Sequence, residues 1–350
     1  MIQTVTGSTS LGLSPGRPES SHPAQRSRLL SGVTPSGSLT LGNYLGALRR
    51  FAETQSTSQG FFFVADLHAM TTAHDPQRLR DLSAETAALF FAAGLDPKYS
   101  TVFVQSQVSA HVELGYLLEC TTHVGELGRM IQFKEKGGRP RTRASLFTYP
   151  CLMAADILLY DTDSVPVGGD QDQHVELCRD LAVRFNRLYG DTFVVPRLAR
   201  AARASRIADL ADPAVKMSKS ADQRAAGVIR MLDSADVITR KISRAVTDSG
   251  SEVSYDPECK PGVSNLLDIV AVVTGERPEV VAAGLSSYGQ LKRTCAEAVV
   301  DTLTPIQRRY ADLAGSPQEL DALLAAGACR AREQAEPVLA RAKRAVGLPG

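Results

Sequence analysis

The sequence Lys-Met-Ser-Lys-Ser at positions 216–220 places two lysines three positions apart. On a mobile loop, Lys216 and Lys219 could close two positive charges on a polyphosphate. Charges placed in this way stabilise a pyrophosphate leaving group as negative charge moves onto it. Either lysine could also be an ordinary solvated surface side chain, and a second motif far upstream favours the phosphate site.

The upstream motif is Thr-Pro-Ser-Gly-Ser-Leu-Thr-Leu-Gly-Asn-Tyr at 34–44, between an apolar run that predicts a strand and an amphipathic run that predicts a helix. A helix N-terminus after a turn of small residues binds anions through its backbone N–H groups and its dipole. Thr40 and Asn43 offer hydrogen bonds without a titrating group. Gly42 lets a nucleoside approach the backbone closely. The two motifs together predict a polyphosphate site.

Asp156 is the only charged residue in the apolar segment from Tyr149 to Tyr160, which predicts a helix. A buried carboxylate is unfavourable unless it is paired, so Asp156 either pairs or caps within the fold, or it accepts a hydrogen bond from a substrate. An indole ring has one N–H donor and no acceptor, which suits an acceptor-only carboxylate. Met153 lies one turn away on the same face and could pack on such a ring.

Composition and charge limit the class of protein only loosely. The chain has 350 residues and a formal net charge of +1, which allows two domains and neither supports nor excludes a nucleic-acid partner. Basic clusters at 134–143 and 197–206 are either solvated surface or contacts for RNA phosphates. The six cysteines have neither Cys-x-x-Cys nor zinc-site spacing, which favours reduced thiols in a cytoplasmic protein. No apolar run is long enough to span a membrane.

Short β-branched or aromatic runs alternate with helical patterns in the first half of the chain. We predict buried strands at 29–33, 61–65, 101–105 and 164–167. This alternation predicts an α/β fold with a parallel sheet covered by helices. Ligands of such sheets bind beyond the carboxyl ends of the strands, where the 34–44 turn and His68 are expected to lie.

Helical patterns dominate the second half, with the last one at 317–346. A further helix is predicted at 227–245, and Pro337 is expected to break or kink the last one. We therefore predict a disordered N-terminal extension at 1–27, a Rossmann-like parallel-sheet catalytic domain at 28–205, and a C-terminal all-helical domain at 206–350. The last part begins with the loop that carries the two lysines.

Several longer phrases have the order and spacing of one family. They are SGVTPSGSLTLGNYLGALRRF, ADLHAMT, GELGRMIQFKEK, YPCLMAADILLY, DTDSVPVGGDQDQHVELCRDLAVRFN, VKMSKS, SRAVTDSG and KPGVSNLLDI. From about Leu29 to Leu348 the chain resembles the bacterial-type tryptophanyl-tRNA synthetases, which are class I aminoacyl-tRNA synthetases. The resemblance implies ATP-dependent activation of L-tryptophan to tryptophanyl-adenylate and its transfer to tRNA(Trp). It also implies a cytoplasmic homodimer whose helical domain reads the anticodon, with neither a membrane nor DNA as a partner.

The resemblance also implies roles for individual residues. Catalytic phosphate contacts are implied for Lys136, Lys216 and Lys219. ATP contacts are implied for Thr34, Ser36, Thr40, Gly42, Asn43, Gly168, Asp170, Ile207, Met217 and Ser218. A tryptophan pocket is implied for Leu30, His68, Tyr149, Met153, Asp156, Val165, Val167 and Gln171. Within these sets, Asp156 would read the indole N–H, Tyr149 and Gln171 the α-amino group, and Asp170 and Gly168 the ribose. Mg²⁺ is expected with the polyphosphate, and no residue is assigned as a metal ligand.

Four positions differ from the usual pattern of the family. Thr34 and Leu67 stand where glutamine is common, Gly169 replaces a glutamate, and Ala221 replaces an aspartate after the lysine loop. These changes bear on ATP and Mg²⁺ binding and on the selectivity of the pocket, and leave the reaction class unchanged.

Two alternatives remain open at this point. The first is a tyrosyl-type synthetase on the same fold. However, a phenol both donates and accepts hydrogen bonds, and nothing here matches the separate C-terminal RNA-binding module of that family. The second is a paralogue that binds tryptophan without charging tRNA, against which the intact lysine pair argues. Dependence of pyrophosphate exchange on tryptophan would exclude the first, and charging of tRNA(Trp) would exclude the second.

Overall fold

A five-stranded parallel sheet organises the first half of the chain. The computed structural model describes residues 28–162, 164–167, 172–200, 207–219, 221–222 and 224–349, with the backbone alone at 164–167 and 198–200. The strands are β1 (Arg28–Val33), β2 (Gln59–Val64), β3 (Ser100–Val104), β4 (Ser164–Val167) and β5 (Arg197–Arg200). Their spatial order is β3-β2-β1-β4-β5, and the pairings are parallel. This order reverses direction at β1, as in Rossmann-like sheets, where ligands bind outside the carboxyl ends of the strands.

Helices cover the sheet and form most of the second half of the chain. The first-half helices are α1 (Leu41–Asn43), α2 (Arg49–Thr54), α3 (Asp66–Ala69), α4 (Pro76–Ala92), α5 (Ala110–Glu119), α6 (Val124–Leu127), α7 (Ile131–Lys136), α8 (Ser145–Leu158) and α9 (Asp172–Tyr189). The second-half helices are α10 (Ala235–Ser243), α11 (Pro261–Thr274), α12 (Pro278–Ala283), α13 (Tyr288–Ala314) and α14 (Pro317–Ala345). A π-helical turn joins α1 to α2. Within the described ranges, no helix combines the length and apolarity needed to cross a membrane.

The sheet separates two buried apolar clusters, because successive side chains of a strand point to opposite faces. Phe61 and Phe63 of β2 belong to the cluster formed with α5, α8 and α9. Phe62 and Val64 belong to the cluster formed with α4, α11 and α13. Of the second-half helices, α14 packs on β3, and α13 packs on α4, which in turn covers β2 and β3. This packing confirms the expectation of an α/β domain followed by helices.

Helix α14 contributes to both clusters. Its first half supplies Leu320 and Leu324 to the α13 side, and its second half supplies small side chains to the α5 side. Gly327 lies where the helix crosses β3, and a Cβ there would stand 1.7 Å from the carbonyl oxygen of Val102. Glycine is thus required at position 327 by close backbone contact. Pro337 does not end the helix, which continues to Ala345, so the expected break is wrong, and the alternative of a kink stays a prediction.

Two other sequence-based predictions differ from the structure. The fifth strand, β5, lies in the basic cluster at 197–206, which lacks the β-branched pattern on which the strand predictions rested. The helix predicted at 227–245 begins only at Ala235. Residues before it run extended beside the 34–44 turn, because Leu41 N donates to Ile229 O at 2.9 Å and Met231 N donates to Leu39 O at 2.9 Å. A tertiary pairing therefore overrides local helix preference.

Candidate active site

The 34–44 turn leaves the carboxyl end of β1 and is closed by its own side chains. Thr40 is fully buried and caps α1: its backbone N–H and its hydroxyl both donate to Asn43 Oδ1 at 3.0 Å, and Asn43 N donates to Thr40 Oγ1 at 3.3 Å. This reciprocal capping satisfies backbone donors that a helix start otherwise leaves without partners. The Thr40 hydroxyl thus holds the turn, while Asn43 keeps its amide N–H groups as donors for a ligand.

The lysine loop lies against this turn. Met217 N donates to Ile207 O at 3.1 Å, and Ala208 pairs antiparallel with Lys216. A Cβ on Gly42 would lie 3.6 Å from Met217 Cβ and 3.7 Å from Ile207 Cβ. Ile207 and Met217 are buried, so they can form the wall behind a nucleoside seated on Gly42. Three residues implied to contact adenosine are therefore brought together.

Between the turn and the loop lies a cavity of about 480 Å³ with a cationic lining. It is lined by Ser36, Gly37, Ser38, Arg78, Lys219, Ala221, Asp222, Arg224 and Arg230. Lys219 Nζ donates to the carbonyl oxygen of Thr34 at 2.6 Å. Burial, together with the nearby charge of Lys216, lowers the pKa of Lys219 to about 8. Four basic side chains against one acidic residue suit a polyanion such as triphosphate.

Two other residues of the loop, Lys216 and Ser218, lie close by. Lys216 is exposed, and the carbonyl oxygen of Ser218 accepts a hydrogen bond from Ala221 N at 3.3 Å. Lys136 is not brought to the cavity: it is exposed at the end of α7, where Nζ donates to Gln132 Oε1 at 3.1 Å. Its role as a phosphate contact therefore requires a movement of α7 or of the side chain.

Asp156 lies in α8, beneath the carboxyl ends of β2 and β3, and accepts three hydrogen bonds. Gln105 Nε2 donates to Oδ1 at 2.7 Å, His111 Nδ1 lies 2.6 Å from Oδ1, and His68 Nε2 lies 2.8 Å from Oδ2. Burial by itself would raise the pKa of Asp156, but hydrogen bonds from His111 and His68 bring it below the usual value. The carboxylate is thus kept ionised in a buried setting.

A hydrogen-bond chain continues inward from this carboxylate. His111 Nε2 lies 2.9 Å from the hydroxyl oxygen of Tyr160, and both residues are fully buried. A neutral His111 protonated on Nδ1 donates to Asp156 and accepts from Tyr160 O–H. Burial, together with the charge of Asp156, raises the pKa of the Tyr160 phenol, so it remains a donor. The chain fixes Asp156 from the side opposite to half-buried His68.

Gln105 and His111 were not among the residues predicted for the site. Gln105 directly follows β3, the position at which parallel sheets present ligand-contacting residues, and this signal could have identified it. His111 lies in α5 and had no local signal, because only the tertiary fold brings α5 against α8. Both hold the carboxylate of Asp156 directly.

Two other residues implied for the tryptophan pocket, Tyr149 and Met153, lie in α8 itself. The hydroxyl oxygen of Tyr149 is 2.5 Å from His174 Nε2, and burial raises the pKa of Tyr149 to about 12. The rings of Tyr149 and His68 meet edge to face at 6.1 Å. Met153 is half-buried one turn before Asp156, and Leu30 is buried in β1. The side chains of Tyr149 and His68 thus meet at one end of the sheet.

Several implied positions cannot be placed. Gly168, Gly169, Asp170 and Gln171 lie outside the described residues, as do the side chains of Val165 and Val167, whose backbone forms β4. The implied ribose contacts and one contact to the amino group of tryptophan therefore stay predictions. Ser36 lies in the cavity lining, beside the Thr34 carbonyl that holds Lys219.

The arrangement combines an anion cavity with a buried carboxylate at the same edge of a Rossmann-like sheet. A family model described as tRNA synthetases class I (W and Y) matches residues 22–304. The chain belongs to this family. Among class I synthetases, it is 54% identical to Tryptophan--tRNA ligase 1 of Streptomyces coelicolor over 92% of this chain and 97% of that protein. It is 51% identical to the tryptophan--tRNA ligase of Leifsonia xyli over 92% and 97% of the two chains.

Solved class I synthetase structures have the same fold. A tryptophanyl-tRNA synthetase from Mycoplasma pneumoniae superposes with a TM-score of 0.84 at 37% identity, over 93% of this chain and 98% of that one. One from Campylobacter jejuni, in complex with ADP and tryptophan, gives 0.79 at 34% identity over 92% and 100%. A tyrosyl-tRNA synthetase from Archaeoglobus fulgidus gives 0.64 at 20% identity over 81% and 90%, a likeness of fold alone.

Proposed function

We propose that this protein activates L-tryptophan with ATP and transfers it to tRNA(Trp), releasing pyrophosphate and then AMP. The observation that carries the proposal is the buried, ionised Asp156 at the same sheet edge as the cationic cavity. The tryptophan--tRNA ligases that are about half identical over nearly the whole chain support the same reaction.

The hydrogen bonds already made by Asp156 support the assignment of one of its oxygens to the indole N–H. A carboxylate has about four acceptor positions, and three are used: two on Oδ1 by fully buried groups and one on Oδ2 by His68. The remaining position on Oδ2 accepts the indole N–H, beside or in place of half-buried His68. Tyr149 and Gln171 would then contact the α-amino group, with Met153, Leu30, Val165 and Val167 around the ring.

Adenylate formation needs no protein nucleophile, because the carboxylate of tryptophan attacks the α-phosphorus of ATP. Lys219 would exchange the Thr34 carbonyl for the β- and γ-phosphates, and its positive charge would stabilise the departing pyrophosphate. Lys216 and Lys136 would join it when the loop closes. Gly42, Ile207 and Met217 would hold the adenosine, with Asp170 and Gly168 at the ribose.

Mg²⁺ would arrive with ATP rather than in a preformed protein site. In the described part of the chain, no group of three or more His, Cys, Asp or Glu side chains could hold a metal ion. Mg²⁺ commonly keeps several waters and binds through substrate phosphates. When bound, the ion would neutralise phosphate charge, and no residue of this chain is assigned to it.

A homodimer is part of the proposal, supported by an apolar surface on the α5–α7 region. Val112 and Tyr116, one helical turn apart on α5, are 54% and 66% exposed, and Val124 and Ile131 are 75% and 52% exposed. Exposed apolar side chains of this kind are available for a protein–protein contact. We expect Tyr116→Arg to shift sedimentation from dimer to monomer. The exposed Tyr99→Arg on the loop before β3 serves as control, and an unchanged dimer in Tyr116→Arg would exclude this interface.

The tRNA would bind across the protein surface, and the exposed basic segment at 134–143 suits its phosphates. The proposal places the reaction in the cytoplasm, where translation consumes charged tRNA.

Two assays test the function. Pyrophosphate exchange should depend on tryptophan and not on tyrosine, since a tyrosine-dependent exchange would favour the tyrosyl alternative. Exchange without charging of tRNA(Trp) would instead point to a paralogue that does not charge tRNA.

A further inference from the structure

Residues 228–233, which we name the strap, connect the 34–44 turn to the helices of the second half. On one side, the strap pairs through Ile229 and Met231 with the backbone of the turn. On the other side, Gln307 of α13 donates to the carbonyl oxygens of Met231 at 2.8 Å and Asp233 at 2.9 Å. Lys241 of α10 donates to Asp233 Oδ2 at 2.7 Å. The strap is therefore anchored to the turn and to two helices at once.

Arg230, in the middle of the strap, reaches both walls of the cavity. Its Nη1 donates to the carbonyl oxygen of Ser38 in the turn at 3.3 Å. Its Nη2 donates to the carbonyl oxygens of Ala221 at 3.1 Å and Asp222 at 3.0 Å, immediately after the lysine loop. The residue is 8% exposed, and no salt bridge among the described residues includes it. The two terminal nitrogens of this buried guanidinium thus donate to backbone carbonyls of two separate segments, and Nε has no partner among the described residues.

We propose that Arg230 is a positioning residue that sets the distance between the lysine loop and the 34–44 turn during adenylate formation. Before Lys219, the loop is held by backbone bonds from Met217 N to Ile207 O and from Asp209 N to Val215 O. Arg230 supplies the anchor after it, at 221–222. With both ends held, the Lys219 ammonium can exchange the Thr34 carbonyl for a phosphate in the same cavity, and the loop need not be ordered anew at each turnover.

Arginine suits this task better than lysine. Its planar fork can donate to several carbonyls in different directions, whereas an ammonium is a single point charge on a flexible stem. Carbonyl partners also leave the positive charge of Arg230 without a carboxylate counter-ion, so that it adds to the field of Lys219 in the same cavity.

The test compares Arg230→Lys and Arg230→Ala with the same changes at Arg240, an exposed arginine on α10. Tryptophan-dependent ATP–pyrophosphate exchange reports adenylation. Because the chain contains no tryptophan, the fluorescence anisotropy of the amino acid itself reports its binding. Loss of a hydrogen bond from a charged group, where it stabilises the transition state, lowers a rate by roughly ten- to a hundredfold. We expect that loss in the kcat of exchange for both Arg230 variants, with the Kd for tryptophan changed less than about twofold.

Two results would overturn the proposal. The first is exchange at the wild-type rate in Arg230→Lys. The second is a loss of tryptophan binding as large as the loss of exchange, which would indicate a merely structural residue. If Arg230→Ala does not fold, Arg230→Lys, which keeps the charge and the aliphatic stem, decides. The inference rests on the proposed phosphate role of Lys219, so Lys219→Ala is measured alongside. Normal exchange in Lys219→Ala refutes that role, whereas normal exchange in Arg230→Lys alone refutes only the positioning.

Discussion

Replacing Asp156 by asparagine should strongly reduce the preference for tryptophan over an analogue that lacks the indole N–H. It should lower the free energy of unfolding only moderately. Asp156 accepts three hydrogen bonds of 2.6–2.8 Å. A hydrogen bond to a charged group contributes about 1.5–3 kcal/mol and a neutral one about 0.5–1.5 kcal/mol, so three bonds lose roughly 3 kcal/mol. Removing a buried charge offsets part of that loss. We expect the free energy of unfolding to fall by about 1–3 kcal/mol.

The surrounding network can adapt to the new amide. Gln105 Oε1 is buried and has no hydrogen-bond partner, so a flip of the Gln105 amide would let it accept from the introduced amide N–H. His111 can move its proton to the other ring nitrogen.

The dependence of stability on acid pH should also change, because the folded-state pKa of Asp156 lies below its unfolded value. Its stabilising contribution is therefore present above that unfolded value, about 3.9, and is lost as the pH falls further, a loss that the variant should not show.

The assay is pyrophosphate exchange with tryptophan and with an analogue that carries sulfur in place of the indole N–H. We expect the kcat/KM for tryptophan divided by the kcat/KM for the sulfur analogue to fall by roughly ten- to a hundredfold in Asp156→Asn, because the indole loses its charged acceptor. Asp66→Asn, a carboxylate at the same sheet edge that binds Ser106 instead, is the control. A ratio equal to the wild-type value in Asp156→Asn would refute the assignment of the indole to this carboxylate.

Three further outcomes follow from the same structure. Lys219→Ala should lower kcat and kcat/KM for exchange together while the Kd for tryptophan stays near wild type, and a change confined to tryptophan binding would contradict the transition-state role. The kcat/KM for ATP should decrease as the pH rises through about 8, because Lys219 loses its proton there, and Lys219→Arg should abolish that limb since arginine stays charged. Gly327→Ala should lower the free energy of unfolding by roughly 1–3 kcal/mol through overpacking against Val102. Gly46→Ala, where a Cβ meets nothing within 4 Å, should leave the free energy of unfolding nearly unchanged. Thermal unfolding of both glycine variants measures the two effects.

The sequence predicted four of the five strands and the helical second half because those segments carry strong local signals. Runs such as Phe61-Phe62-Phe63-Val64 are β-branched or aromatic and bounded by a helix on each side. Where local and tertiary preferences conflict, the prediction failed. Residues 227–234 have a helical pattern, but their backbone pairs with Leu39 and Leu41, and Pro337 is tolerated inside α14.

The site residues also divide into those that local motifs predict and those that only tertiary packing reveals. Lys216, Lys219, Thr40, Gly42 and Asn43 lie in short motifs, and the sequence pointed to them directly. Asp156 was identifiable as a lone charge in an apolar helix. The groups that hold it, Gln105 and His111, come from other elements, and only the packing of α5 on α8 reveals them. Arg230 was hidden in the same way, because a helical pattern gave no reason to place its side chain between two loops.

The most direct test of the account is charging of tRNA(Trp) by the purified protein, with tryptophan and with tyrosine, in the presence of ATP and Mg²⁺. The account predicts aminoacylation with tryptophan alone, preceded by tryptophan-dependent pyrophosphate exchange that Lys219→Ala impairs. No charging of tRNA(Trp), in a preparation whose bound tryptophan is seen by fluorescence anisotropy, would contradict it.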